Sequence, residues 1–201
     1  DFPQAEAMLV SLLARRDHWM PHVIGHHTLD EESRRAWLES SIRRQVDLEL
    51  AAVHSRLTRV AASDLAELAD YAATALEEEG RDSVIRGCAG LVDLPPPSSE
   101  SLGAWRGIAE LLLTRGGDWR KTVTKTCGFP TTDKARKERM ISLLDDLRDR
   151  DDLRRQLRDV RILPDPHYSE SQWRILGALV TVLPHALAEL EIVFRASGET
   201  D

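Results

Sequence analysis

Apolar residues recur along this chain at steps of three and four, and almost nowhere at every second position. The first spacing gathers them on one face of an α-helix, whereas a half-buried strand would need the second. The pattern therefore predicts an all-α protein of about seven or eight helices.

Residues 5–24 are mostly helix-forming, with Leu9, Leu12, Trp19 and Val23 as apolar positions and Pro21 as a kink or stop. Thr28 to Glu31 reads as a capping box, a hydroxyl followed three residues later by a carboxylate. It opens a long helix with the stripe Leu38, Ile42, Val46, Leu50, Val53, Leu57 and Val60. Ser63-Asp64 is the next expected N-cap, for a helix carrying Leu65, Leu68, Ala72 and Leu76 and ending near Gly80. A short helical segment to Leu91 follows, then Pro95-Pro96-Pro97-Ser98-Ser99, the clearest break and the expected subdomain boundary.

Beyond the break, Leu102, Trp105, Ile108 or Ala109, and Leu112 predict a helix stopped by Gly116-Gly117. Residues 114–132 show no sustained period and read as a loop. Thr132-Asp133 caps a helix through Met140, Leu143 or Leu144, and Leu147, interrupted around Asp149 to Asp152 before Leu153, Leu157 and Val160 resume the stripe. Ser169 and Gln172 form a second capping box, followed by Trp173, Leu176, Val180, Leu183, Leu187, Leu190 and Phe194. Pro184 lies inside that stripe and should bend the helix without ending it, because the period continues on both sides.

A length of 201 residues suits one domain, divided at most into an acidic helical half (1–94) and a second half (98–201). No uninterrupted apolar run approaches the ~20 residues of a membrane span, and no signal peptide is evident, so no membrane is expected. Two cysteines, Cys88 and Cys127, give no disulfide framework and suggest a reducing, cytoplasmic setting.

Charge changes the picture more than composition does. The net charge of −7 counts at first against nucleic acid. Residues 115–139, however, hold eight basic side chains and only three acidic ones, so this stretch is +5 and the remainder −12. All four lysines of the protein, Lys121, Lys125, Lys134 and Lys137, fall within it.

The sequence offers little catalytic chemistry. There is no phosphate-loop motif, nucleophile elbow or catalytic-cysteine signature. Asp30-Glu31-Glu32 lacks the preceding hydrophobic strand of a magnesium-holding acidic pair and reads as a helix cap. His18, His22 and His26 recur every four residues, a spacing that lets histidines share a metal, although Pro21 disturbs it and no dependable carboxylate or thiolate completes the set. The alternating run Asp145 to Arg155 contains the i,i+4 pairs Asp146–Arg150 and Asp151–Arg155 and reads as a solvated helix face.

The basic loop is different. Arg120, Lys121 and Lys125 sit among threonine hydroxyls, with Trp119 available either to stack on a base or to anchor the loop in the core. Cations and hydroxyls together suit phosphate oxygens, in contacts that carry no sequence information. Lys134 and Lys137 are the next candidates.

At this point a resemblance emerges. Residues 111–130, LLLTRGGDWRKTVTKTCGFP, resemble a segment of superfamily-1 DNA helicases of the UvrD/Rep type, near the RecB/AddA branch. Residues 12–22, LLARRDHWMPH, are similar to that branch's "LLARRDxWLPH" stretch. Residues 168–176 and 187–194, with Gly198 to Asp201, resemble "YSxxQWxxLxAL…AxAELxxVFxxxGxxDF". The resemblance implies the helical insertion of the first motor domain, a duplex-facing arm lying between the ATP-binding loop and the magnesium-binding acidic motif. It implies a non-catalytic, excised domain that makes weak, sequence-independent contact with duplex DNA. The parent would be an ATP- and magnesium-dependent helicase of repair or recombination, and the rest of the motor a partner. The alternative from the residues alone is a helical module that docks a partner subunit without touching DNA.

Overall fold

The structure is a computed structural model that describes residues 10–11, 13–15, 30–57 and 62–197. Six α-helices are present among them: α1 (Glu31–Leu57), α2 (Ala62–Glu78), α3 (Leu102–Leu112), α4 (Lys134–Leu147), α5 (Asp151–Val160) and α6 (Glu170–Ser197). Short 3-10 turns cover Val84–Cys88, Ser99–Ser101 and Lys125–Cys127, and the described residues contain no strand beyond one isolated antiparallel bridge, Leu113 with Trp119. The all-α expectation is met, with six α-helices among the described residues against seven or eight foreseen for the whole chain. The segment toward Leu91 is a 3-10 turn, and the helix expected over 5–24 lies largely outside the described residues.

Compactness divides the chain into Asp1–Glu39 with His167–Asp201, and Ser40–Pro166. The proline run at 95–97 therefore lies inside the second unit. There it is stitched to the core: the Trp105 indole Nε1–H donates to the Pro96 carbonyl at 3.0 Å, and the Ser99 amide donates to Asp47 Oδ1 at 2.6 Å. Proline breaks the helical pattern here without loosening the chain.

The core of the second unit is built from the expected stripes. Val46, Leu50, Val53 and Leu57 of α1 are buried, with Leu65, Leu68, Ala72 and Leu76 of α2, and Trp105, Ile108 and Leu112 of α3. α2 ends in a Schellman motif: Arg81 N–H donates to the Leu76 carbonyl and Gly80 N–H to Glu77, with Gly80 at φ +63°. Glycines then set how closely elements approach. A Cβ on Gly107 of α3 would lie 2.6 Å from the Cys88 sulfur, so the 84–88 turn rests directly on α3.

Helix starts differ from expectation in two places. α1 is capped by Asp30, whose Oδ1 accepts from the Ser33 amide at 2.8 Å. A carboxylate at that position already reaches the third amide of the helix, and Thr28 lies outside the described residues. Ser63 falls within α2, which is helical from Ala62. The two other caps are as expected: Asp133 accepts from the Arg136 amide at 3.1 Å, and Ser169 and Gln172 cap each other reciprocally at 2.9 and 3.3 Å.

The first unit, within its described residues, joins the start of α1 to α6. Trp173, Leu183 and Leu187 of α6 are buried and the helix runs through Pro184. Ile175, Val182, Ile192 and Val193 of α6 are exposed. By length and composition alone Glu170–Leu190 could cross a membrane, although Arg174, His185 and Glu189 interrupt its apolar run.

Candidate nucleic-acid interface

The loop after α3 is more ordered than its lack of period suggested. Leu113 leaves the helix in an extended conformation, and the chain reverses over Thr114–Asp118. The Thr114 amide bonds the Asp118 carbonyl at 2.8 Å, and the Arg120 amide bonds Leu112 at 3.0 Å. Gly117 takes φ +85° beside the Arg158 side chain, which a Cβ there would meet at 2.8 Å. Val123, Cys127 and Phe129 are buried at intervals, while Lys121, Thr122, Thr124, Lys125 and Thr126 between them face solvent. Three apolar anchors thus hold a rim of cations and hydroxyls in place.

The end of this loop is fixed against α2. Gly128, at φ +82°, passes so close that a Cβ would sit 2.2 Å from the Ala72 carbonyl oxygen. Phe129 meets the Tyr71 ring edge-on at 5.6 Å, and Arg136 of α4 lies over the same ring at 4.5 Å. Burial raises the Tyr71 hydroxyl pKa, and the Asp133 charge adds to the effect.

The eight basic groups of 115–139 divide into two classes. Arg120 turns inward, its Nε and Nη2 donating to the Glu110 carbonyl at 3.3 and 3.0 Å. A cation at the carbonyl end of α3 complements the helix dipole, so Arg120 closes a helix with Nε and Nη2 and keeps only Nη1 unengaged. Lys125 pairs with Glu79 at 3.2 Å and Arg136 with Asp133 at 2.7 Å. Arg139 bonds both Glu67 and Asp64, whose carboxylates raise its pKa, and its guanidinium holds that of Glu67 below the usual range. Arg115, Lys121, Lys134 and Lys137 have no carboxylate partner among the described residues.

Of the sequence candidates, then, Lys121, Lys134 and Lys137 keep ammonium groups without a partner among the described residues, the last two on the first turn of α4. Trp119 is half-buried against the core, and its Nε1 is buried without a hydrogen-bond partner. Its packing against the core makes it an anchor of the loop. His18, His22 and His26 lie outside the described residues. Among the described residues no three His, Cys, Asp or Glu side chains converge as a metal site would require. Asp30 is occupied as the α1 cap, and Ser33 bonding to it, amide first, lowers its pKa. Cys88 and Cys127 are buried and unbridged.

The pairs expected in the Asp145–Arg155 run do not form. The chain leaves the helix at 148–150, so Asp146 and Arg150 no longer share a face. Arg148 pairs with Asp145, and Arg154 with Asp151 and Asp118, instead.

One polar cluster is not foreseen by the sequence pattern. In the first unit, Glu39 is buried and accepts from the Tyr168 amide and Arg35 Nε, each at 3.1 Å, beside His167 Nδ1 at 3.1 Å. Arg35 also bonds Glu170 at 2.6 Å and the Tyr168 carbonyl at 2.5 Å, and Trp173 donates to Glu31 at 2.8 Å. Burial alone would raise the Glu39 pKa; the Tyr168 amide, His167 and Arg35 together outweigh it and hold it low. A signal was present, since Glu39 continues the Ile42, Val46, Leu50 stripe toward the N-terminus.

No protein-family model, no curated protein and no solved structure matches this chain.

Proposed function

We propose that this chain is a non-catalytic, duplex-DNA-contacting helical arm of a UvrD/Rep-type helicase, close to the RecB/AddA branch. One observation carries the contact: every lysine lies within 115–139, and three of the four have no carboxylate partner among the described residues. Lys121 stands on a loop pinned by buried Val123, Cys127 and Phe129, and Lys134 and Lys137 stand on the start of α4. A backbone already held has little freedom left to lose on meeting a phosphate strand, so the entropic cost falls on the lysine side chains alone. Ammonium groups suit phosphate oxygens, which carry no sequence information, so the contact is independent of sequence. The −12 carried by the rest of the chain keeps the contact weak. ATP and magnesium belong, on this reading, to the motor and not to this segment.

Two labelled duplexes of unrelated sequence, titrated at low salt, test the contact. Equal, salt-sensitive binding is expected; a strong preference for one sequence, or no binding at low salt, contradicts it. Helicase parentage is tested by reading the gene on both sides of this segment for a phosphate loop upstream and an acidic box downstream. The second reading, a module docking a partner subunit, draws on the exposed Ile175, Val182, Ile192 and Val193 of α6. It gains if the duplex does not bind.

A further inference from the structure

The carbonyl ends of α3 and α5 flank an open cleft of about 420 Å³ lined by Val84, Arg106, Glu110, Arg115 and Arg161. Every cation in it is an arginine. Arg161 is held by the Thr114 carbonyl at 2.7 Å, Leu113 at 3.1 Å and Glu110 at 2.7 Å. Arg106 is held by Asp165 at 2.8 Å and the Leu163 carbonyl at 2.6 Å. Glu110 also faces Arg120 at 3.5 Å. The three arginines of the cleft thus share two carboxylates, Glu110 and Asp165, and an excess of positive charge remains. Arg115, on the turn at the rim, has no carboxylate partner among the described residues.

We infer that this cleft binds a phosphate monoester. A guanidinium presents five N–H donors in a planar fork, and the Nη groups of Arg106 and Arg161 retain hydrogens beyond the bonds named. Those bonds fix both side chains beforehand, so a ligand need order only Arg115. The tetrahedral oxygens of a phosphate can meet several guanidinium forks at once, and a monoester, at about −1.5 to −2 at neutral pH, is drawn more strongly by the arginine excess than a carboxylate or a phosphodiester at −1. The volume leaves room for a carbon skeleton beside the phosphate, where the half-exposed Val84 offers an apolar wall. The monoester is either the terminal phosphate of a nucleic-acid strand or a free phosphate compound; the chemistry recognised is the same. The inference does not depend on the lysine contact.

The test follows the arginine Nε–Hε and backbone NMR signals of the whole chain during titration with inorganic phosphate. Saturable shifts at Arg106, Arg115 and Arg161 are expected, weakened about tenfold in Arg115→Ala, the size of one charged hydrogen bond. Arg115 is the variant of choice because it ties no other segment together. A triple variant Lys121→Ala, Lys134→Ala, Lys137→Ala should leave phosphate affinity unchanged while reducing duplex binding, which separates this site from the proposed interface. Absence of saturation, or equal affinity in Arg115→Ala, overturns the inference. The source is settled by comparing a duplex with 5′-phosphates to the same duplex with 5′-hydroxyls. Competition by the phosphorylated duplex alone assigns a strand end, and equal behaviour of the two assigns a free phosphate compound.

Discussion

Gly128 lies so close to Ala72 that a Cβ at position 128 would stand 2.2 Å from the Ala72 carbonyl oxygen. This approach pins the basic loop to α2, and its φ of +82° adds a conformational demand that other residues resist. Gly128→Ala should therefore cost more than about 2 kcal/mol in urea unfolding, since αL strain and a backbone clash add. Gly80→Ala shares the positive φ but meets nothing within 4 Å. It should lose only about 1 kcal/mol. Equal losses would show that the close approach is not what holds the loop.

The Glu39 cluster sets a second expectation. Glu39→Ala leaves Arg35 Nε and the Tyr168 amide without their acceptor and should cost about 2–4 kcal/mol in thermal or urea unfolding. Asp30, Glu39, Glu67 and Asp133 all have lowered pKa values. The sign follows directly: below the ordinary carboxylate range the unfolded chain binds more protons than the folded one. Their stabilisation is complete above ordinary values of 3.8 for aspartate and 4.5 for glutamate, and is lost as pH falls through the folded values. A stability curve unchanged by acid across that window would contradict these pairings.

Burial pushes the Cys88 thiol up to about 12, and Asp70 adds to it. The reactive thiolate is therefore scarce at neutral pH, and both thiols are shielded. Neither Cys88 nor Cys127 should react with a thiol reagent in the native protein, and both should react once it is denatured. Rapid native labelling of either would place that thiol outside the core.

Trp119 distinguishes an anchor from a stacking platform. Its buried Nε1 has no partner, so Trp119→Phe removes a donor that makes no bond. Stability should stay within about 1 kcal/mol of the parent, and duplex affinity should not change. A marked loss of affinity at unchanged stability would mean that the ring meets DNA.

Helix stripes were legible because burial imposes the helical period on sequence: Val46 to Leu57 and Leu65 to Leu76 are buried as spaced. Caps were legible where one residue carries the chemistry, as at Asp133 and Ser169. Pairings that join residues far apart in sequence were not. Arg120 looked like the best phosphate ligand because neighbouring sequence gives no hint that Glu110, ten residues back, takes its guanidinium. Arg139 with Glu67 and Arg161 with Glu110 are hidden for the same reason. The proline run misled in the opposite way, since its carbonyls and neighbours bond the core. Within the basic stretch Arg120 and Lys125 are engaged, whereas Lys121, Lys134 and Lys137 have no carboxylate partner among the described residues.

The most direct test is the salt dependence of duplex binding, compared between two sets of variants. In the unaltered chain log K should fall against log salt with a slope of roughly −2 to −4. Replacing Lys121, Lys134 and Lys137 by alanine should flatten that slope by roughly 0.9 for each phosphate that is no longer neutralised. Arg120→Ala should lower stability and leave the slope almost unchanged. An unchanged slope in the lysine variant, or a slope abolished by replacing Arg120 alone, would contradict the account.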